Sequence, residues 1–250
     1  MSITIHPLNT GFIALDKGVY ITGGHDYGQE VEVPCNAFLI KDGESRILVD
    51  TGMEETQKAH IHHPGSYQPE GSRIDQRLAE LDVSPEEIEA VLFTHLHWDH
   101  CANMKLFRNA RFFVHRKELE FALDPHILYL KSYDSEKLGM TPPFKGVEFT
   151  TVEGDYAYND RISMFPTPGH CPGHQSVAVK TDGGLVVIAG DAVFADENMV
   201  PDEHRGLPFT PMGRFVSVFE MYDSMVRILD RADRVLTAHG TGVYDQDQWP

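Results

Sequence analysis

The chain has 250 residues, 41% of them hydrophobic, and a formal net charge of −17 from 21 Lys and Arg against 38 Asp and Glu. That is enough apolar material for one large core, and residues 1–250 read as a single domain. The acidic balance excludes a binder of nucleic-acid backbones, which needs clustered Lys and Arg, and it excludes an anionic membrane surface as partner.

Residues 12–15, 19–22, 35–40 and 46–49 are β-prone runs separated by turn signals built from Gly, Asp and Lys-Asp-Gly. The last run closes on Asp50-Thr51-Gly52. Residues 53–71 are polar, contain His60, His62 and His63, and predict an irregular segment that acts as a lid or as the contact of a homodimer, rather than a metal site. Residues 72–82 fit an amphipathic helix with Ile74, Leu78 and Leu81 on one face. Ser84-Pro85-Glu86-Glu87 places Ser, Pro and Glu where a helix start wants them.

Residues 90–93 then form an apolar run, and Thr94-His95-Leu96-His97-Trp98-Asp99-His100 follows at once. Three imidazoles and a carboxylate within six residues are the donors a borderline-soft divalent metal prefers. A buried strand ending where ligands begin is the usual placement of a site in an open α/β fold. His95 and His97 alternate with Leu96, so in extended geometry they share a side. Asp99 and His100 lie on the turn beyond, where they can reach a second ion.

Further along, 111–114 predicts a strand, 117–123 a helix, and 124–146 irregular chain with helical pieces. Strands follow at 147–152, 161–165, 175–180 and 185–189. Residues 212–232 predict a long helix with Phe215, Val218, Phe219, Tyr222, Met225, Val226 and Leu229 as its core-facing stripe. A last strand, 234–237, leads to Ala238-His239-Gly240. Strands, helices, strands, helix, strand suit an α/β, four-layer αββα sandwich of two mixed β-sheets with helices outside.

Three later residues repeat the pattern of the first motif. His170 sits in the tight loop Thr167-Pro168-Gly169-His170-Cys171-Pro172-Gly173-His174. Asp191 follows the apolar run 187–190, and His239 follows 235–238. A buried carboxylate needs a partner, and a metal ion supplies one. Asp50 is expected to accept backbone N–H groups beside the site, and His174 to brace the Pro-Gly loop. Cys35, Cys101 and Cys171 are odd in number and sparse, which suits a reducing compartment and supplies no disulfide framework. With no secretory-type N-terminal pattern and no apolar run of spanning length, a cytoplasmic location is expected.

These segments together resemble the metallo-β-lactamase superfamily, whose signature elements stand here as Leu48-Val49-Asp50-Thr51-Gly52, the His95–His100 run, Thr167-Pro168-Gly169-His170, Gly190-Asp191 and Ala238-His239-Gly240. The resemblance implies a dinuclear centre in which His95, His97 and His170 hold one metal, Asp99, His100 and His239 the other, and Asp191 bridges. Within the superfamily, Met53 and the stretch 167–176 look most like the N-acyl homoserine lactone lactonases. One departure stands out: where that group carries a Tyr whose hydroxyl contacts the substrate carbonyl, this chain has Phe194.

The expected activity is hydrolysis of a small lactone by a hydroxide bridging two divalent ions, zinc by preference, though iron, manganese and cobalt accept the same donors. Asp99 is expected to shuttle the proton. Trp98 and Phe194, which flank ligands, are candidate walls for the substrate. Thioester or ester hydrolysis, β-lactam hydrolysis, di-iron redox chemistry and metal binding without catalysis are the competing readings.

Overall fold

The computed structural model describes residues 2–250. One sheet has the order β1 (Ile3–Asp16), β2 (Glu30–Asp42), β3 (Ser45–Val49), β4 (Ala90–Leu92), β5 (Arg111–His115) and β6 (Phe149–Val152). The first three strands are antiparallel and the rest run parallel to β3. Its partner has the order β11 (Arg234–Leu236), β10 (Gly184–Ile188), β9 (Gln175–Thr181), β8 (Ile162–Pro166) and β7 (Tyr156–Ala157), with only the β10–β11 pair parallel.

The pleat assigns alternate side chains to different layers. In β3, Ile47 and Val49 enter a core shared with Val177, Val179 and Ile188 of the second sheet. Leu48 points the other way, into a layer with Ile74 and Leu78 of helix α2 (Ile74–Ala79). In β10, Val186 and Ile188 face the shared core, while Val187 meets Met225 and Ile228 of the long helix Val218–Arg231. The result is the expected sandwich of two mixed sheets with helices on the outer faces.

Several local expectations are corrected. Residues 19–22 form no strand; Gly18–Thr22 is a π-helical turn. β-branched side chains suggested extension, but the turn is tied to a distant segment by the Gly213 N–H, which donates to Tyr20 O at 3.0 Å. Residues 3–11 belong to β1, which is 14 residues long. The irregular segment 53–71 contains a helix, α1 (Thr56–His62), and the Ser84 segment makes only a single 3₁₀ turn, Pro85–Glu87. Helices α3 (Trp98–Cys101) and α4 (Arg116–Leu123) follow, and α5 (Val218–Arg231) completes the set.

The stripe expected on α5 is also rotated. The helix starts at a Ser217 cap, whose Oγ accepts the Glu220 N–H, and it buries Met221, Ser224, Met225 and Ile228. Phe219 is 81% exposed. Ser224 on the inner face disguised the true period; its hydroxyl is satisfied by Pro168 O at 2.6 Å.

Candidate metal centre

Every predicted ligand stands just past the end of a strand. His95 and His97 follow β4, and His97 caps α3, which carries Asp99 and His100. His170 lies between β8 and β9, Asp191 in a one-turn helix after β10, and His239 after β11. The short strands stop together at one edge of the sandwich, so residues up to 144 positions apart (95 and 239) converge.

The convergence is close. His95, His97 and His170 form one group of donor atoms within 4.8 Å of one another; Asp99, His100 and His239 form a second; His95, His100 and Asp191 link the two. Asp191 divides its carboxylate between them. Its Oδ1 lies 3.2 Å from His100 Nε2 and 3.3 Å from His239 Nε2, while Oδ2 lies 3.3 Å from His170 Nε2 and 4.0 Å from His95 Nε2. Asp99 Oδ2 stands 3.7 Å from both His100 Nε2 and His239 Nε2. His97 Nδ1 lies 3.0 Å from His170 Nε2. Two ligands of a tetrahedral site with bonds near 2.0–2.1 Å are about 3.3 Å apart, so most of these separations match edges of a coordination polyhedron.

The residues fit metal by a second test. Buried polar atoms normally find partners. Here His95 Nε2, His97 Nε2, His100 Nε2, His239 Nε2 and Asp191 Oδ1 are buried with no hydrogen-bond partner among the described residues. Three of these nitrogens, on His95, His100 and His239, lie within 4.0 Å of the Asp191 carboxylate, and with the His97 Nδ1 that faces His170 they fit the donor set of a divalent cation. Burial holds His95 and His97 well below the ordinary histidine value, which keeps them neutral and able to donate a lone pair.

The opposite ring edges are anchored. His100 Nδ1 is 2.8 Å from Asp50 Oδ2, His170 Nδ1 is 2.9 Å from Arg214 O, and His239 Nδ1 is 2.8 Å from Pro34 O. Asp50 also accepts the Thr94 N–H and hydroxyl at 2.8 and 2.7 Å. It is thus the acceptor expected from the sequence, and an imidazole anchor besides. Such outer partners set ring tautomer and orientation. His174 stands outside the three groups: it pairs with Thr167 Oγ1 at 2.9 Å and accepts the Asp191 N–H at 3.0 Å. That places it as a brace of both loops. Gly190 has φ +56°, and a Cβ there would lie 2.7 Å from His174 Nε2, so this approach needs glycine.

None of the three thiols is poised for attack. All are free and buried; burial pushes Cys35 up to about 12 and Cys101 and Cys171 well above the usual range.

A cavity of about 210 Å³ opens on the centre. His97, Asp99, His170 and Asp191 line it, and so do Trp98 and Phe194, as the sequence suggested. Phe194 packs on the His239 ring with centroids 4.1 Å apart. The sequence reading missed Tyr20, Lys131, Ser132 and Arg214, which line the same cavity from loops without any periodic signal. It left His62 and His63 in a lid. They do line the cavity, and His62 lies flat on Trp98 at 4.3 Å with its Nε2 3.0 Å from Asp134 Oδ1.

Comparison with known proteins bears on the fold and the family. The N-acyl homoserine lactonase of Bacillus cereus is 29% identical over 184 residues, 68% of each chain. The N-acyl homoserine lactonase AttM of Azorhizobium caulinodans is 25% identical over 237 residues, 89% of this chain and 86% of its own. Among solved structures, an N-acyl homoserine lactone hydrolase with the product N-hexanoyl-L-homoserine at its catalytic metal centre superposes with a TM-score of 0.79 at 23% identity, covering 98% of this chain and 96% of its own. A family model described as the metallo-beta-lactamase superfamily matches residues 31–239, and the chain belongs to that superfamily.

Proposed function

We propose that residues 1–250 act as one hydrolase domain that opens the ring of a small lactone, an N-acyl homoserine lactone or a related compound, at a centre of two divalent ions, zinc by preference. The observation that carries this reading is the division of Asp191 between the two histidine groups, with Asp99 on the cavity side. Lactonase relatives at 25–29% identity support the substrate class.

His95, His97 and His170 would hold one ion, Asp99, His100 and His239 the other, and Asp191 both. Bound there, the ions supply a nucleophilic water of lowered pKa and polarise the carbonyl. The chain's own residues supply the rest. Asp99 directs Oδ2 at His100 and His239, and among the described residues no donor engages its Oδ1. That oxygen is placed to accept a proton from the attacking water and to deliver it to the leaving alkoxide. Trp98 and Phe194 exclude water along one wall and give the ring an apolar bed.

The test is an assay of metal-loaded protein against lactones, simple esters, thioesters and β-lactams, each with and without chelator. Ring opening of a lactone that stops on chelation and returns with metal supports the reading. No lactone turnover by loaded protein, or turnover indifferent to chelator, overturns it.

A further inference from the structure

Two cations line the cavity, in a chain whose acidic residues outnumber its basic ones. Arg214 and Lys131 both line it. Neither has a carboxylate within 4.0 Å among the described residues. Arg214 is held firmly. Its carbonyl accepts from His170 Nδ1 at 2.9 Å, and its guanidinium stacks over the Tyr129 ring at 4.3 Å. Its only hydrogen-bond acceptors are Leu128 O at 3.4 Å and Ser132 Oγ at 3.5 Å, both through Nη2. Among the described residues, Nε and Nη1 have no acceptor. Lys131 donates one of its three protons, to His62 O at 2.9 Å.

An oriented guanidinium and an ammonium lining one cavity form a recognition element for a planar anion. The nearby negative charges, Asp99 and Asp191, belong to the donor set, and bound dications offset them. The cavity is also small. At about 210 Å³ it lies below the ~300–1,000 Å³ of sites that enclose drug-sized ligands, so it suits a ring with a short substituent.

We propose that Arg214 and Lys131 form an anion-recognising subsite, and that the substrate is a compact lactone carrying a carboxylate or comparable anionic group, preferred over a neutral lactone of the same ring. This rests on the lactonase reading above. It predicts which lactones bind well, and it assigns a role to two side chains that donate no hydrogen bond to a predicted ligand.

The experiment compares a γ-lactone bearing a ring carboxylate with its neutral primary amide, using wild-type, Arg214→Gln and Lys131→Gln proteins loaded with metal. The expected wild-type ratio of kcat/KM, anionic over neutral, is about tenfold or more, as one charge-assisted pair allows. The ratio falls toward one in each variant and shrinks with added salt. A wild-type ratio near one, or a ratio unchanged in both variants while lactone is still hydrolysed, overturns the subsite. If no lactone is opened at all, the lactonase reading fails, and the subsite is decided by binding. Tetrahydrofuran-2-carboxylate and its amide, titrated calorimetrically, should then differ in the wild type and not in the variants; equal binding by all three proteins overturns it. Lys131 is exposed, so its substitution keeps the test valid if Arg214→Gln fails to fold.

Discussion

Asp50 Oδ2 lies 2.8 Å from His100 Nδ1, so a residue that reaches neither metal-facing group sets the direction of one that does. The same carboxylate is locked by Thr94 through its N–H and its hydroxyl. Asp50→Asn keeps an acceptor for Thr94 and loses the charge that orients imidazole. The expected result is a 10–100-fold weaker affinity for metal or a similar drop in activity, with little change in fold. Metal titration followed by kinetics checks it. An Asn variant that binds metal like the wild type would show that His100 needs no anchor.

Among the described residues, Asp191 alone turns its two carboxylate oxygens to different histidine groups. Asp191→Ala should cut metal content from two ions per chain to one or fewer and lower kcat by ~100-fold or more, since each lost charge interaction in a buried site is large. Elemental analysis and activity are measured on one preparation. Full activity with two ions bound would remove the shared-ligand role.

The donor set was legible because each member sits one to seven residues beyond a short apolar run, a local pattern any single segment displays. The sandwich was legible for the same reason, through continuously apolar strands such as 47–49 and 186–188, which are buried on both faces. What escaped depends on distant partners. Val19, Tyr20 and Ile21 carry strand-forming side chains, yet Gly213 pins them in a turn and Tyr20 enters the cavity. Arg214 reads as the start of a long helix, but α5 begins four residues later, and the intervening chain wraps the site. Phe219 fits a helical stripe by spacing and faces solvent, because tertiary packing chose the face holding Met221 and Met225. Local chemistry predicts which donor residues converge; it does not predict which loop closes over them.

Phe194 occupies the position where the resemblance to the lactonases implies a phenol, and Tyr20 is the one tyrosine among the described residues lining the cavity. Burial raises the Tyr20 phenol above its ordinary value, so it is a donor at neutral pH. Tyr20→Phe should lower kcat about tenfold with a smaller change in KM, as expected for loss of one donor to a developing oxyanion. Phe194→Tyr in that background should recover part of the loss. If Tyr20→Phe turns over normally, the phenol has no part in the reaction and the ions alone carry the carbonyl.

Glu118 tests the scaffold beneath the ligands. It is fully buried on α4, and its Oε1 accepts the N–H of Leu96, between His95 and His97, at 3.0 Å and the Tyr133 hydroxyl at 2.8 Å. Burial raises its pKa above the usual carboxyl range. Glu118→Ala strands two buried donors, each costing about 1–3 kcal/mol when unpaired, and leaves a void beside Leu96. Relief of a desolvated carboxyl offsets part of this, so the expected loss in unfolding free energy is about 2–4 kcal/mol. Glu118→Gln retains an acceptor and should lose less than half as much. Urea unfolding of the metal-free proteins reads the stability difference without the contribution of bound ions. Equal stabilities for the Ala and Gln variants would mean that the acceptor at Leu96 is not what holds the His95–His97 segment.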